Sequence, residues 1–551
     1  MNETLDRLGR EYWEFTLEQN PTQALMLGDH RFDDKAEAAS REAEDDAIRR
    51  RREFAAAAEA IDPDVLTDDE RISREVLIFD ATSNADLDER RLAEFAVNHA
   101  IGVQAMIPVA IPQFPLTAPE HAEAMLDKFR AMAKSFDDFG DRLREGVAHG
   151  RTPMASTAKK TVEQIDEMLA VPLEEDRHLA LRAPQGWDGE AAWREQMAGV
   201  VSDVVRPAYR RWRDTIADEV IPASRPDDKP GLCWLPDGEE TYATTLWRFT
   251  TTDKTPDEIH GIGLGQIERL ADEYRALGEE VLGTTDLPEI FSRLRDDPEL
   301  HFEDGPSIVA ASEKALAKAK AAMGDWFGRL PVADCVVAET PSGPTAFYFR
   351  PAADGSRPGM FFVNTADPTR WGRFEIESMA YHEGIPGHHL QLAISQELEN
   401  VPEFRKHAFI SAYAEGWGLY TERLADEMGL YSGALERIGM LSADSMRAGR
   451  LVADTGLHAK GWSRQQAIDY FKDNSPMSLG TIEGEVDRYI GMPGQACSYM
   501  IGRLEIQRMR REAEAAMDDR FDIKGFHDTV LGSGLVPLGT LDSMVREWAA
   551  A

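Results

Sequence analysis

Along most of the chain, apolar residues recur every three or four positions between charged ones, the spacing that gathers them on one face of an α-helix. Segments 2–20, 36–61, 66–96, 119–149, 155–171 and 189–219 read as amphipathic helices, rich in Ala, Glu, Arg and Leu, which lose little freedom in a helix. The breaks carry Pro, Gly or Asp. A longer break over Pro222–Pro230 suggests an N-terminal helical lobe, 1–222, followed by a second lobe, 223–551, in one continuous unit. Thr255-Pro256-Asp257-Glu258 has the form of a helix start: a capping hydroxyl, a first-turn proline and acidic residues where the helix dipole favours them. Helical patterning covers 256–282 and 286–324, and resumes after residue 370 to the end.

The period changes at 332–364. The runs VADCVVAE, TAFYFRPA and GMFFVNT are β-branched or aromatic, and Pro-Ser-Gly-Pro and Ala-Asp-Gly-Ser-Arg-Pro-Gly separate them. They predict a small antiparallel sheet. The expected fold class is therefore mostly α with one small antiparallel sheet.

Composition narrows the function classes. The 551 residues carry 61 Lys+Arg against 99 Asp+Glu, a net charge of −38. Binding to nucleic acid or to anionic lipid needs basic surface, so neither is expected. No run of about 18 apolar residues suggests a membrane span. The N-terminus lacks a basic stretch followed by an apolar one, and Cys233, Cys335 and Cys497 are too few and too scattered for a disulfide framework. Both point to a cytoplasmic protein with reduced thiols. Neither a phosphate-binding loop nor a GxSxG nucleophile turn is present, and Gly261–Gly265 lies in a helical context that does not suit a nucleotide site.

The chemistry concentrates after the sheet, in Tyr381-His382-Glu383-Gly384-Ile385-Pro386-Gly387-His388-His389-Leu390-Gln391, with three of 13 histidines within eight residues. Zinc takes neutral imidazoles and carboxylates as ligands, and a neighbouring Glu can deprotonate water at such a site. The spacing differs from HExxH. In a straight helix His388 would point about 240° away from His382, and His389, on the same face, would lie about 10 Å along the axis. Pro386 removes a ladder hydrogen bond and Gly387 permits unusual dihedrals, so a bulge absorbing two residues is expected there. His382 and His388 are then ligands and Glu383 the general base, with His389 as the rival second ligand or a substrate contact. Glu415, in a further helical run Ser411–Glu422, is the expected third ligand.

With these motifs, His-Glu-x-x-Pro-Gly-His-His-Leu-Gln and Glu-Gly-Trp-x-Leu-Tyr-x-Glu, the chain resembles the DUF885 family of bacterial proteins over nearly its whole length. Asn20-Pro21, Leu235–Gly238 with Tyr242, Thr250–Thr252, Asp354–Gly359, Val363–Thr365, Arg450–His458 and Arg488–Ala496 extend the likeness. The family is similar in turn to helical zinc oligopeptidases and carboxypeptidases of the gluzincin type. That resemblance implies a two-lobed helical shell with a deep cleft, one zinc ion per chain and short peptides as substrates. Among residues in the family motifs, Tyr489 and His458 are candidates to stabilise the oxyanion. Arg488 and Arg450 are candidates for a substrate carboxylate, and Asp454 for orienting a ligand histidine. An edge strand within 345–364 is expected to hold an extended peptide by main-chain pairing, with Asn364 near the cleft mouth. A metal-dependent amidase with a non-peptide substrate, or a binding protein that kept the fold, are the alternatives. The oligomeric state is not legible.

Overall fold

Thr255 caps its helix as the pattern suggests. Its hydroxyl accepts from the Glu258 N–H at 3.3 Å, the Glu258 carboxylate accepts from the Thr255 N–H at 2.8 Å, and the helix runs over Pro256–Leu282. The computed structural model describes residues 2–341, 344–352, 355, 357–399 and 401–551; Asp354 and Ser356 of the family signature, and Ser342 and Gly343 between two strands, lie outside them. The early amphipathic segments form helices Glu3–Gln19, Arg41–Glu59, Asp68–Glu89, Pro119–Ala148 and Ala155–Ala170. The segment expected over 286–324 is two helices, Leu287–Asp296 and Gly305–Trp326. Pro298 cannot donate into a helical ladder, and Asp304 accepts from the Ser307 N–H at 2.8 Å, which starts a new helix.

The sheet is mixed, not antiparallel. Strands β1 (Cys335–Thr340), β2 (Ala346–Phe349) and β3 (Gly359–Asn364) lie in the order β1-β3-β2, with β3 parallel to β1 and antiparallel to β2. The most regular inside–outside alternation belongs to β3, whose Phe361 and Val363 are fully buried. The strand with the most to bury takes the centre, and β2 is left as an edge.

The lobe boundary also differs from the expectation. One apolar core is drawn from Leu25 to Val220, but the main core joins Leu5–Ala81 to residues from Leu232 onward. The first helices therefore pack on the C-terminal region. Arg405 shows the attachment: it donates to the Ser73 hydroxyl at 2.8 Å. Further links cross between the regions at Asp487, which pairs with Lys160 at 2.8 Å and whose carbonyl accepts from Asn98 at 3.0 Å. Cys233, Cys335 and Cys497 are free thiols. No helix among the described residues is long and apolar enough to cross a membrane.

Candidate functional site

The helix that carries His382 spans Ile376–Glu383, and a second begins at His388. The expected bulge is thus a complete break over Gly384–Gly387. Glycine is required at Gly387 because a Cβ there would lie 1.9 Å from the His382 carbonyl oxygen. The Trp417 indole N–H donates to the Pro386 carbonyl at 3.0 Å and pins the turn. The break lets His388 fold back beside His382, with ring centroids 4.8 Å apart and planes nearly perpendicular.

The helix Ser411–Glu427 packs against this pair. Gly418 allows the approach, since a Cβ there would sit 2.8 Å from the His382 ring. Glu415 Oε2 then lies 3.7 Å from His382 Nε2 and 3.4 Å from His388 Nε2. The three atoms are all within 4.8 Å of one another, the one such group of His, Cys, Asp or Glu among the described residues. Tetrahedral zinc, with ligands at about 2.0–2.2 Å, needs them about 3.3–3.5 Å apart, so a small contraction of this triad suits the ion.

Two further features fit a cation. His382 Nδ1 is 2.7 Å from Glu422 Oε1, while the other Glu422 oxygen accepts from the Ser378 hydroxyl at 2.8 Å. That contact directs His382 Nε2 at the triad. Burial opposes charge on His382, yet the bonds to Glu415 and Glu422 raise its pKa to about 9. Burial would likewise raise Glu415, but the two imidazoles hold its carboxyl well below the ordinary range. The hollow thus attracts positive charge.

The triad opens on a cleft of about 550 Å³, which Glu383, Met379, Phe409 and the β2 residues Ala346–Tyr348 also line. Glu383 is half-buried and makes no side-chain hydrogen bond among the described residues. Tyr499 was not picked out by the sequence. Its ring stacks on His382 at 6.4 Å, it lines the cleft, and its hydroxyl bonds to no described residue. Burial raises its pKa. No spacing relates Tyr499 to the histidines. Glu422 could have been found: it stands seven residues after Glu415, two helical turns on and on nearly the same face.

Arg450 and Arg488 line the cleft as expected, and Arg447 joins them. Of the other expected residues, His389, Asn364, Tyr489, His458 and Asp454 do not. Both ring nitrogens of His389 are engaged, Nδ1 with the Tyr348 hydroxyl at 2.9 Å and Nε2 with the Ala333 carbonyl at 3.1 Å, and burial lowers its pKa to about 4. It ties β2 to its helix. Asn364 sits at the end of β3, where its side chain accepts from the Ala366 N–H at 3.1 Å; its backbone N–H donates to the carbonyl of the cleft-lining Thr345 at 2.9 Å, but Asn364 itself does not line the cleft. Tyr489 is buried and donates to Glu485 at 2.7 Å. His458 accepts from the Leu232 N–H at 3.1 Å and bonds the Tyr489 carbonyl at 3.0 Å; burial lowers its pKa to about 3. Asp454 accepts from the Tyr242 hydroxyl at 2.6 Å and the Gly494 N–H at 3.0 Å, and burial raises it to about 7. The reason is axial distance: a rise of about 1.5 Å per residue puts Asp454 and His458 about 6 and 12 Å beyond Arg450 on the helix Ala434–His458.

Two solved structures share the fold. A candidate lipoprotein from Colwellia psychrerythraea superposes with a TM-score of 0.93 at 25% identity, over 99% of this chain and 98% of that one. A candidate lipoprotein of unknown function from Shewanella oneidensis gives 0.77 at 18% identity, over 98% and 99%. No curated protein matches the sequence. The profile of a family described as "Bacterial protein of unknown function (DUF885)" matches residues 21–545, and the chain belongs to that family.

Proposed function

We propose that this protein is a zinc-dependent peptidase of gluzincin type acting on short peptides. The observation that carries the reading is the convergence of His382, His388 and Glu415 on one cleft wall, with Glu383 beside them and unengaged. His382, His388 and Glu415 would hold the ion, and Glu422 keeps the His382 ring in place. When bound, zinc polarises the scissile carbonyl and lowers the pKa of water toward about 7. Glu383 takes the proton from the attacking water and returns it to the leaving nitrogen. The Tyr499 hydroxyl donates to the carbonyl oxygen as negative charge builds on it. The open edge of β2 pairs with the substrate main chain. A cleft of about 550 Å³ accommodates a few residues and excludes a folded domain.

The test begins with protein purified without added metal or nickel resin. Elemental mass spectrometry should find about one zinc per chain, as one set of three protein ligands with a fourth position for water implies. Glu383→Gln should keep that zinc and lose turnover of a peptide panel by roughly a hundred- to ten-thousandfold. Full activity in this variant, or no metal after zinc is offered, would sink the reading. Because two relatives of the same fold are described as candidate lipoproteins, fractionation of the producing cells tests the expected cytoplasmic location. Recovery with membranes overturns it.

A further inference from the structure

Next to the triad, the cleft is lined by Arg447 and Arg450 of the helix Ala434–His458 and by Arg488 of the helix Leu479–Gly491. In a chain of net charge −38, many arginines are spent on exposed acidic neighbours one helical turn away, as Arg49 is on Asp46 and Glu53. These three are not. Glu485 accepts from Arg450 at 2.7 and 3.1 Å and lies 3.5 Å from Arg488 Nε, too poorly aligned for a hydrogen bond. Glu422 is 3.9 Å from Arg447. Arg447 and Arg450 are both 5% exposed. Arg447 Nε, Arg450 Nη1, and Arg488 Nε and Nη2 are buried without an acceptor among the described residues.

Buried donors left without acceptors are costly. Among the described residues, Arg90, Arg142, Arg151, Arg405 and Arg503 each leave one such nitrogen elsewhere in the protein, but only at Arg447, Arg450 and Arg488 do these nitrogens gather on the wall of a cleft, where an anionic group can complete them. The planar fork of a guanidinium matches a carboxylate in two parallel hydrogen bonds. The position is also informative. Arg450 lies over the Tyr499 ring, 4.4 Å from its centroid, and that ring stacks on His382. One aromatic ring therefore separates the arginine wall from the triad, a gap that one or two extended residues span at about 3.3–3.6 Å each.

We infer that Arg447, Arg450 and Arg488 form a carboxylate subsite that seats the free C-terminus of the substrate, so that one or two residues are removed from the C-terminal end of a peptide. This rests on the peptidase reading and narrows it: internal cleavage of long chains is not what the cleft is built for.

The test uses zinc-loaded Glu383→Gln protein and three alanine-based tetrapeptides: a free acid, its C-terminal amide, and an amide ending in Glu. Calorimetry should find the free acid bound roughly ten- to hundredfold more tightly than its amide, the range expected for a charge-assisted pair. Arg488→Met in the same background should bring that ratio to about one, with zinc content and circular dichroism confirming its fold. Equal binding of acid and amide overturns the inference, as does an Arg488→Met ratio that stays unchanged. Binding of the Glu-ending amide as tightly as the free acid overturns the C-terminal assignment. Digestion by the wild-type protein decides the underlying reading separately. Cleavage without acid preference in binding leaves a peptidase and removes this subsite. Acid-selective binding without cleavage keeps the subsite and removes the peptidase.

Discussion

The surroundings of His382 and of His458 are built from the same kinds of residue: a buried histidine, a buried acid and a tyrosine. At His458 the polar capacity is closed. The Leu232 N–H, the Tyr489 carbonyl, the Tyr242 hydroxyl and the Gly494 N–H take up the imidazole and Asp454. At His382 it is open. Its Nε2, His388 Nε2 and Glu415 converge, and Glu383 and Tyr499 face a cleft without partners among the described residues. Residue type and burial do not separate the two regions. What separates them is whether the hydrogen bonds are spent inside the protein, as buried polar groups usually require, or left for something that binds.

Three substitutions sharpen this contrast. Tyr499→Phe removes only a hydroxyl from the open side. Loss of one oxyanion donor is worth roughly a hundred- to thousandfold in turnover, and kcat should fall by that amount with zinc content unchanged. A kcat within a few fold of the wild type would return Tyr499 to a purely packing role. Glu422→Gln weakens the brace behind His382 and leaves the three converging atoms themselves in place. Outer partners of metal-bound histidines are worth about ten- to a hundredfold in metal affinity, so competition against a chelator should show zinc released at correspondingly lower chelator concentration. An unchanged affinity would mean that packing alone orients the ring.

On the closed side, His458→Gln should affect stability and not chemistry. The folded protein holds His458 neutral, with a pKa near 3 against 6.5 for the free side chain. Below pH 6.5 the unfolded chain takes up a proton that the folded one refuses, so stability is lost as pH falls from 6.5 toward 3. At about 1.4 kcal/mol per pH unit, this one group accounts for about 2 kcal/mol between pH 6.5 and 5. Urea midpoints across that interval should fall less steeply in His458→Gln, while its turnover per zinc-loaded molecule stays within about twofold of the wild type, as for a residue whose contacts are all structural. A parallel pH profile would show that the proton is taken up elsewhere. A large loss of turnover would place His458 back in the chemistry.

The helices were legible because each buries a stripe that repeats at helical spacing, and their starts because capping is local: Thr255 and Glu258 are three residues apart and satisfy one another. The break in 286–324 was missed although Pro298 and Asp304 announce it, because the apolar spacing continues across. In the sheet, the strands were visible and their pairing was not. Pairing depends on which strand has the most to bury, and Phe361 and Val363 put β3 in the centre. The packing of Leu5–Ala81 on the C-terminal core was hidden for the same reason: an amphipathic stripe says that a helix has a buried face and not what covers it.

At the candidate site, the sequence by itself singled out a set of two histidines and one glutamate as candidate ligands and the need for a break after His382, since no straight helix brings residues six apart to one point. It could not distinguish His388 from His389. Tertiary structure decided that, by turning His389 toward Tyr348 and Ala333. It also decided that Tyr499 and not Tyr489 reaches the cleft, and that Glu422 and not Asp454 holds His382. Which residues share a face follows from local geometry and can be read along one chain segment. Which face meets a cleft depends on contacts between segments far apart in sequence, and those exist only once the chain has folded.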